Sequence, residues 1–265
     1  MRLITGMHRS GTSLIARMFY EAGADLGDPQ TFYPADQWNP DGYFEQRAIH
    51  AVNMPLINGP WWKLANFHLP STRTILRRAE PMAEQIRRTA AEYQNRVVKE
   101  VRFSLTMPAW ETYGAEFQSI LVCLRDPIAA AKSISKRYRV PIANGYYIWQ
   151  TYFTRLVENI GDRPVWYIRY GYVMNEETYH REMGSAMHHM GFDLTDAQLV
   201  ALRDRCIRPE LYHHRMVRKL YPPRIDALWR ELVRRHDAQW GDEQAAPLSQ
   251  AVLQPELEPA QSRTR

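Results

Sequence analysis

Apolar residues in this chain fall into short separated runs, and between the runs they recur at the three-to-four spacing of a helix face. Residues 2–5, "RLIT", form the first run. "GMHRSG" follows, and Leu14, Ile15, Met18 and Phe19 then share one face of a helix predicted over 12–22 and ended by Gly23. Further apolar runs at 96–100 ("RVVKE"), 118–124 ("QSILVCL") and 165–169 ("VWYIR") read as strands. Helical periodicity covers 48–58, 73–95, 142–160, 176–190, 196–206 and 224–240, and a helix with Pro108 and Trp110 fills the gap between the second and third strands. Pro81 must bend or split the segment 73–95. Asp126-Pro127 is a helix N-cap followed by proline in the first turn, starting a helix that runs to about 139.

Strands that alternate with helices argue for an α/β fold. The expected architecture is a P-loop-type three-layer sandwich with a central parallel sheet of four to five strands flanked by helices. Residues 1–240 are expected to form one domain. After Gly241 the segment 241–265 has three prolines, no aromatic residue and no period, and reads as a flexible tail.

Composition adds little. The net charge is +5, and 29 of the 34 basic residues are arginine, which suits an acidic ligand or a general arginine bias. Cys123 and Cys206 are isolated and make neither a disulfide framework nor a zinc spacing. With no apolar run near membrane-spanning length and a strand beginning at residue 2, the expected location is cytoplasmic, without stable membrane insertion.

The chemistry concentrates at two places. In "GMHRSGTS", Gly6, Gly11 and Ser13 keep the spacing of a phosphate-binding loop, but Thr12 stands where the lysine of nucleotide hydrolases belongs. Backbone N–H groups at such a strand–loop–helix junction bind tetrahedral anions without that lysine, and Arg9, Ser10, Thr12 and Ser13 add donors. In "LRDPIAAAKSISKR", Arg125 lies at a strand's carboxyl end and Ser133 two helical turns on, where an open α/β sheet binds ligands. Arg125 could instead pair with Asp126, with Ser133 facing solvent.

Together with "VWYIRYGYVMNEETYHREMGSAMHHMGFDL", these two motifs resemble the sulfotransferases that use 3′-phosphoadenosine 5′-phosphosulfate (PAPS). The likeness spans 1–240 and is closer to carbohydrate, tyrosyl-protein and bacterial small-molecule members than to phenol and steroid enzymes, whose histidine motif is missing. "KEVR" (99–102) stands where many relatives have K-D-P-R, and "RYGYVM" lacks the acidic residue of the later pattern.

The resemblance implies sulfuryl transfer from PAPS, leaving the 3′,5′-bisphosphate PAP, to a hydroxyl or secondarily an amine, with no metal required. Arg9, Ser10, Gly11, Thr12 and Ser13 would hold the 5′-phosphosulfate, and Arg125 and Ser133 the 3′-phosphate. Arg9 and Lys99 would stabilise charge on the transferring group, Lys99 being otherwise a lysine that snorkels from a strand end. Glu45 in "NPDGYFEQ" would be the general base or else a cap of the helix from Gln46, with Asp36 and His8 in reserve. The aperiodic loop 24–43 would admit an acceptor that is a small molecule, sugar, lipid or peptide. Trp38, Tyr43, Trp61, Trp62, Tyr146, Tyr147, Trp149 and Tyr152 could line its pocket, although the last four also fit a buried helix stripe. Two rival readings remain: a P-loop kinase or nucleotide hydrolase using ATP and magnesium, and a non-enzymatic binder acting through the arginines of 73–96. No nucleic-acid partner is expected, and the protein would be a monomer or homodimer. The pairs His188-His189 and His213-His214 lack metal-ligand spacing.

Overall fold

The structure, a computed structural model, describes residues 1–58, 69–208 and 221–241. Trp61, Trp62, His213, His214 and the tail from 242 onward lie outside the described residues. Strands β1 (Arg2–Gly6), β2 (Val97–Lys99), β3 (Ser119–Leu124) and β4 (Val165–Arg169) form one parallel sheet in the order β2-β1-β3-β4. Leu3 sits beside Val98 on one side and Ile120 on the other. Successive side chains point to opposite faces, so Leu3, Val98, Ile120, Val122 and Tyr167 enter one core while Ile4, Val97, Leu121, Cys123 and Ile168 enter the other. Burial on both faces is why these strands read as continuous apolar runs. Each fully buried Leu or Ile contributes about 1.5–3 kcal/mol.

One face is covered by α1 (Thr12–Glu21), the short α8 (Tyr170–Val173), α9 (Glu176–His189) and α10 (Asp196–Cys206). The other carries α2 (Arg47–Ile57), α3 (Thr72–Ala79), α4 (Ala83–Tyr93), α5 (Phe103–Thr112), α6 (Pro127–Tyr138), α7 (Ile142–Ile160) and α11 (Pro223–Ala238). These are the three layers expected. The predicted helix 73–95 is two helices, because Pro81 forces a 3-10 turn over Glu80–Met82. The predicted strand 96–100 ends at Lys99, where the Arg102 N–H bonds back to Glu100 Oε1 (2.9 Å) and turns the chain. Gly145 lets α7 close on α6: a Cβ there would stand 2.7 Å from Ala131 Cα. That contact fixes Ser133 and Arg137 relative to Tyr152. Among the described residues no helix is long and apolar enough to cross a membrane.

A buried histidine joins α11 to α9. His236 Nε2 meets Glu182 Oε1 at 3.0 Å and its Nδ1 meets Asp237 at 2.7 Å. Burial opposes the imidazolium, but the two carboxylates outweigh it and raise the pKa above the ordinary value. A raised folded-state pKa gives stability that is complete below about pH 6.5 and is lost as pH climbs through the folded value. His8 and His50 act in the opposite sense: burial first, then Arg102, lowers them to about 3 and about 4, so they favour folding above pH 6.5 and oppose it on acidification. The informative quantity is therefore a difference. Denaturant midpoints of the wild type and His236→Gln between pH 5.5 and 8.5 are expected to converge as pH rises. A gap that stays constant would show that folding does not shift the His236 pKa, and one that widens as pH rises would show that the buried imidazole is held neutral.

Candidate functional site

The glycine loop leaves β1 at Gly6 and enters α1 at Thr12. Its geometry depends on positive φ at Gly6 (144°), Arg9 (67°) and Gly11 (89°). Ser10 N–H bonds to Met7 O (3.1 Å), closing the turn. Gly11 is the N-cap of α1 and, lacking a side chain, leaves the helix N-terminus uncapped, with no acidic residue in the first turn. Such an end carries unsatisfied N–H groups and partial positive charge. Gly11, Thr12 and Ser13 line a cavity of about 640 Å³.

Every strand delivers a residue to that cavity from its carboxyl end: His8 and Arg9 after β1, Lys99 from β2, Arg125 after β3 and Tyr170 after β4. Between β1 and β3 the connections diverge to opposite sides, the position at which open α/β sheets form a ligand crevice. Arg125 Nη1 donates across it to Arg9 O (2.8 Å), and Arg9 Nε donates to Ser133 Oγ (2.9 Å). The two motifs assigned to separate anions thus meet in one cavity. The Arg125 guanidinium also stacks over the Tyr170 ring, 4.8 Å from its centroid. Burial, followed by the nearby Arg125 and Arg137 charges, lowers the Arg9 pKa. Eight arginine and lysine side chains line this cavity against one carboxylate, Asp41, which pairs with Arg17 (3.1 Å) and Arg208 (3.0 Å). Loop residues 37–43 form one wall, tied down by Arg9 Nη1 donating to Trp38 O (3.2 Å).

Behind Lys99 lies a buried charge network. Lys99 Nζ donates to Glu45 Oε1, while Arg102 Nη1 reaches Glu45 Oε2 (3.5 Å) and Glu100 Oε1 (2.8 Å). Burial alone would raise the Glu45 carboxyl, but Lys99 and Arg102 outweigh it and hold it at about 2. Lys99 is only 3% exposed, which removes the snorkelling alternative. Glu45 does not cap α2 either: Gln46 occupies the N-cap without a side-chain bond, and the Glu45 carboxylate faces the two cations.

A second cavity, of about 300 Å³, adjoins the first and shares His8, Tyr43 and Arg137 with it. Glu45 lines the second cavity and Lys99 the first, so their ion pair lies in the common wall. His8 Nε2 and Tyr152 Oη are 3.0 Å apart at this junction, and burial lowers the pKa of the imidazole to about 3. Asp36 lies at the outer edge, 39% exposed at its side chain, accepting from Tyr43 Oη (2.8 Å) and pairing with Arg137 (3.3 Å).

Of the residues read from sequence, Arg9, Gly11, Thr12, Ser13, Lys99, Arg125 and Ser133 converge on the first cavity, with Glu45 at its border. Ser10 does not join them. It is fully buried, and its Oγ has no hydrogen-bond partner. Asp126 caps α6 through Ala129 N (2.8 Å) and also accepts from Tyr221 Oη (2.6 Å). Tyr152 lines the second cavity, whereas Trp149 is core, packed on Phe153 and Trp229. Sequence reasoning missed Arg102, Arg137 and Tyr170. Arg137 was accessible through its i+4 relation to Ser133 on α6, and Arg102 through the clustering of charge in "KEVR" just past an apolar strand. Among the described residues no three His, Cys, Asp or Glu side chains group so as to hold a metal ion.

No protein-family model matches the sequence, and no curated protein matches it. The sulfotransferase domain of a Synechococcus olefin synthase superposes with a TM-score of 0.51 at 14% identity, over 88% of this chain and 94% of that one. A Mycobacterium avium sulfotransferase aligns over 91% of this chain and 76% of its own, at 16% identity and a TM-score of 0.43. On the first of these superpositions, the parallel sheet flanked by helices has the sulfotransferase fold.

Proposed function

We propose that the protein is a sulfotransferase that takes PAPS in the first cavity and a hydroxyl acceptor in the second. The observation that carries this reading is the Lys99–Glu45 pair in the wall between a strongly cationic cavity and one with balanced charge. The residues present fit the donor: an uncapped helix end at Gly11, where a Cβ would collide with the Tyr170 ring, and two arginines bound to each other's segment and to the Ser133 hydroxyl. PAPS supplies an activated sulfuryl group. Arg9, Thr12, Ser13 and the α1 N-terminus would hold the phosphosulfate end, with Arg125 and Ser133 at the 3′-phosphate. Lys99 would neutralise charge growing on the 5′-phosphate side, and Glu45, freed from Lys99 but still held by Arg102, would accept the proton of the acceptor hydroxyl. His8, uncharged and at the junction, is placed to orient that hydroxyl.

Calorimetric titration tests the donor. PAP is expected to bind at micromolar Kd or tighter, about −8 kcal/mol, and ATP with magnesium and 5′-AMP far more weakly. Arg9→Ala and Arg125→Ala should each lower PAP affinity at least tenfold. Preference for ATP with magnesium would assign the site to a kinase or nucleotide hydrolase instead.

A further inference from the structure

We infer that the second cavity takes an uncharged, mainly apolar alcohol or phenol, and not a sugar, a charged metabolite or a tyrosyl peptide. The inference rests on the sulfotransferase reading and supplies the acceptor class it leaves open. Among the members to which the sequence motifs are closest, it departs from the carbohydrate and tyrosyl-protein ones.

Charge accounts for the first exclusion. The charged side chains lining this cavity form internal pairs, Glu45 with Arg102 at 3.5 Å and Asp36 with Arg137 at 3.3 Å, with Lys99 as a further partner of Glu45 from behind the wall. Burial lowers the pKa of its two imidazoles, His8 to about 3 and His50 to about 4. An ionised acceptor would therefore enter a site with no unspent counter-charge, and desolvation of that charge would go uncompensated. The contrast with the cationic first cavity is a contrast of ligand chemistry.

Hydrogen-bonding capacity accounts for the second. A sugar needs partners for several hydroxyls at once, and each buried one left unmade costs about 1–3 kcal/mol. Here Tyr43 Oη is engaged with Asp36, Tyr152 Oη with His8, and Glu45 with two cations, which leaves Asn58, His50 and the hydroxyls of the exposed Tyr33 and Tyr138 as the polar groups open to a ligand. The rest of the lining is mostly aliphatic. Met54 and Ile57 from α2, Ile134 from α6, Val140 from the α6–α7 connection and Ile148 from α7 line the cavity, with the Tyr33 and Tyr138 rings also in the lining and partly exposed. At about 300 Å³ the space is at the small end of ligand sites and suits one ring system or a short branched chain.

The test uses probes matched in shape. 4-Methylphenol, 4-hydroxybenzoate and tyramine share one phenol and differ in charge; 1-naphthol, methyl β-glucoside and a short tyrosyl peptide extend the series. Binding is measured by calorimetry to PAP-loaded and to PAP-free protein, and turnover by PAP release from PAPS. 4-Methylphenol and 1-naphthol should bind PAP-loaded protein at least tenfold more tightly than the other four and give the highest kcat/KM. Val140→Asp and, as a second variant, Met54→Gln should weaken 1-naphthol at least fivefold while PAP affinity stays within twofold. The inference is overturned if the glucoside, either charged phenol or the peptide binds as tightly as 4-methylphenol, if neither neutral phenol binds PAP-loaded protein, or if both variants leave 1-naphthol unaffected. Failure of PAP itself to bind would strike the sulfotransferase reading, and the titrations on PAP-free protein would still read the preference of the cavity.

Discussion

Lys99→Met is expected to lower kcat by about 10²–10³ while PAP affinity changes by less than fivefold. Removing a single donor aimed at developing charge typically has that effect, about 2.7–4 kcal/mol on the barrier. Ground-state binding is spared because Arg9, Arg125 and the α1 N-terminus remain. The same change strands the buried Glu45 carboxylate with Arg102 as its remaining cation, at 3.5 Å. Breaking a buried pair from one side costs about 3–5 kcal/mol, and the remaining guanidinium should hold the loss to the lower part of that range. Adding Glu45→Gln removes the unpaired charge, so the double variant should regain most of the stability and none of the turnover. Should the double variant recover turnover as well, Lys99 acts only through folding. Should Lys99→Met retain wild-type kcat, the assigned role of this lysine is wrong.

Gly11→Ala is expected to reduce PAP affinity at least a hundredfold. At φ 89° any side chain is strained by about 1–2 kcal/mol, and the new Cβ would stand 2.2 Å from Tyr170 Cδ2. Tyr170 must then rotate, which removes the face on which the Arg125 guanidinium stacks. One methyl group therefore disturbs the helix end and the second arginine together. Gly11→Ala with Tyr170→Ala relieves the clash and should recover part of the affinity, leaving the backbone strain and the lost stacking. Gly6→Ala differs in kind, since its Cβ would lie 2.7 Å from the backbone oxygen of Cys123 in the adjacent strand. No rotamer relieves that contact, so the expected result is loss of thermal stability. Unchanged PAP binding in Gly11→Ala would mean that the loop does not hold the anion.

The strands, the split at Pro81 and the Asp126 cap were legible because each depends on local signals: apolar runs, a missing N–H and an N-cap. The glycine spacing and the strand-end arginine marked two separate anion motifs, and only the resemblance joined them. The second cavity was not legible. Its walls come from α2, α6, α7 and the loop 33–45, segments brought together by packing such as Gly145 on Ala131. Glu45 was found by resemblance, but its ion pair with a residue 54 positions away was invisible. The burial of Ser10 was equally hidden, because "RSGTS" gives five adjacent donors no indication of which face the turn conceals.

The two cavities are built from different materials, and this bears on how such a protein can diverge. The first cavity depends on backbone conformation at strand ends and on φ values that few substitutions tolerate. The second cavity depends largely on the volume of helix side chains such as Met54, Ile134 and Ile148, which can be exchanged one at a time at about 1 kcal/mol each when volume is kept. On the proposed function, a lineage could therefore change the molecule it modifies through a few helix-face substitutions and leave its activated-group supply untouched. Among the described residues His8, Tyr43 and Arg137, which line both cavities, would resist that drift.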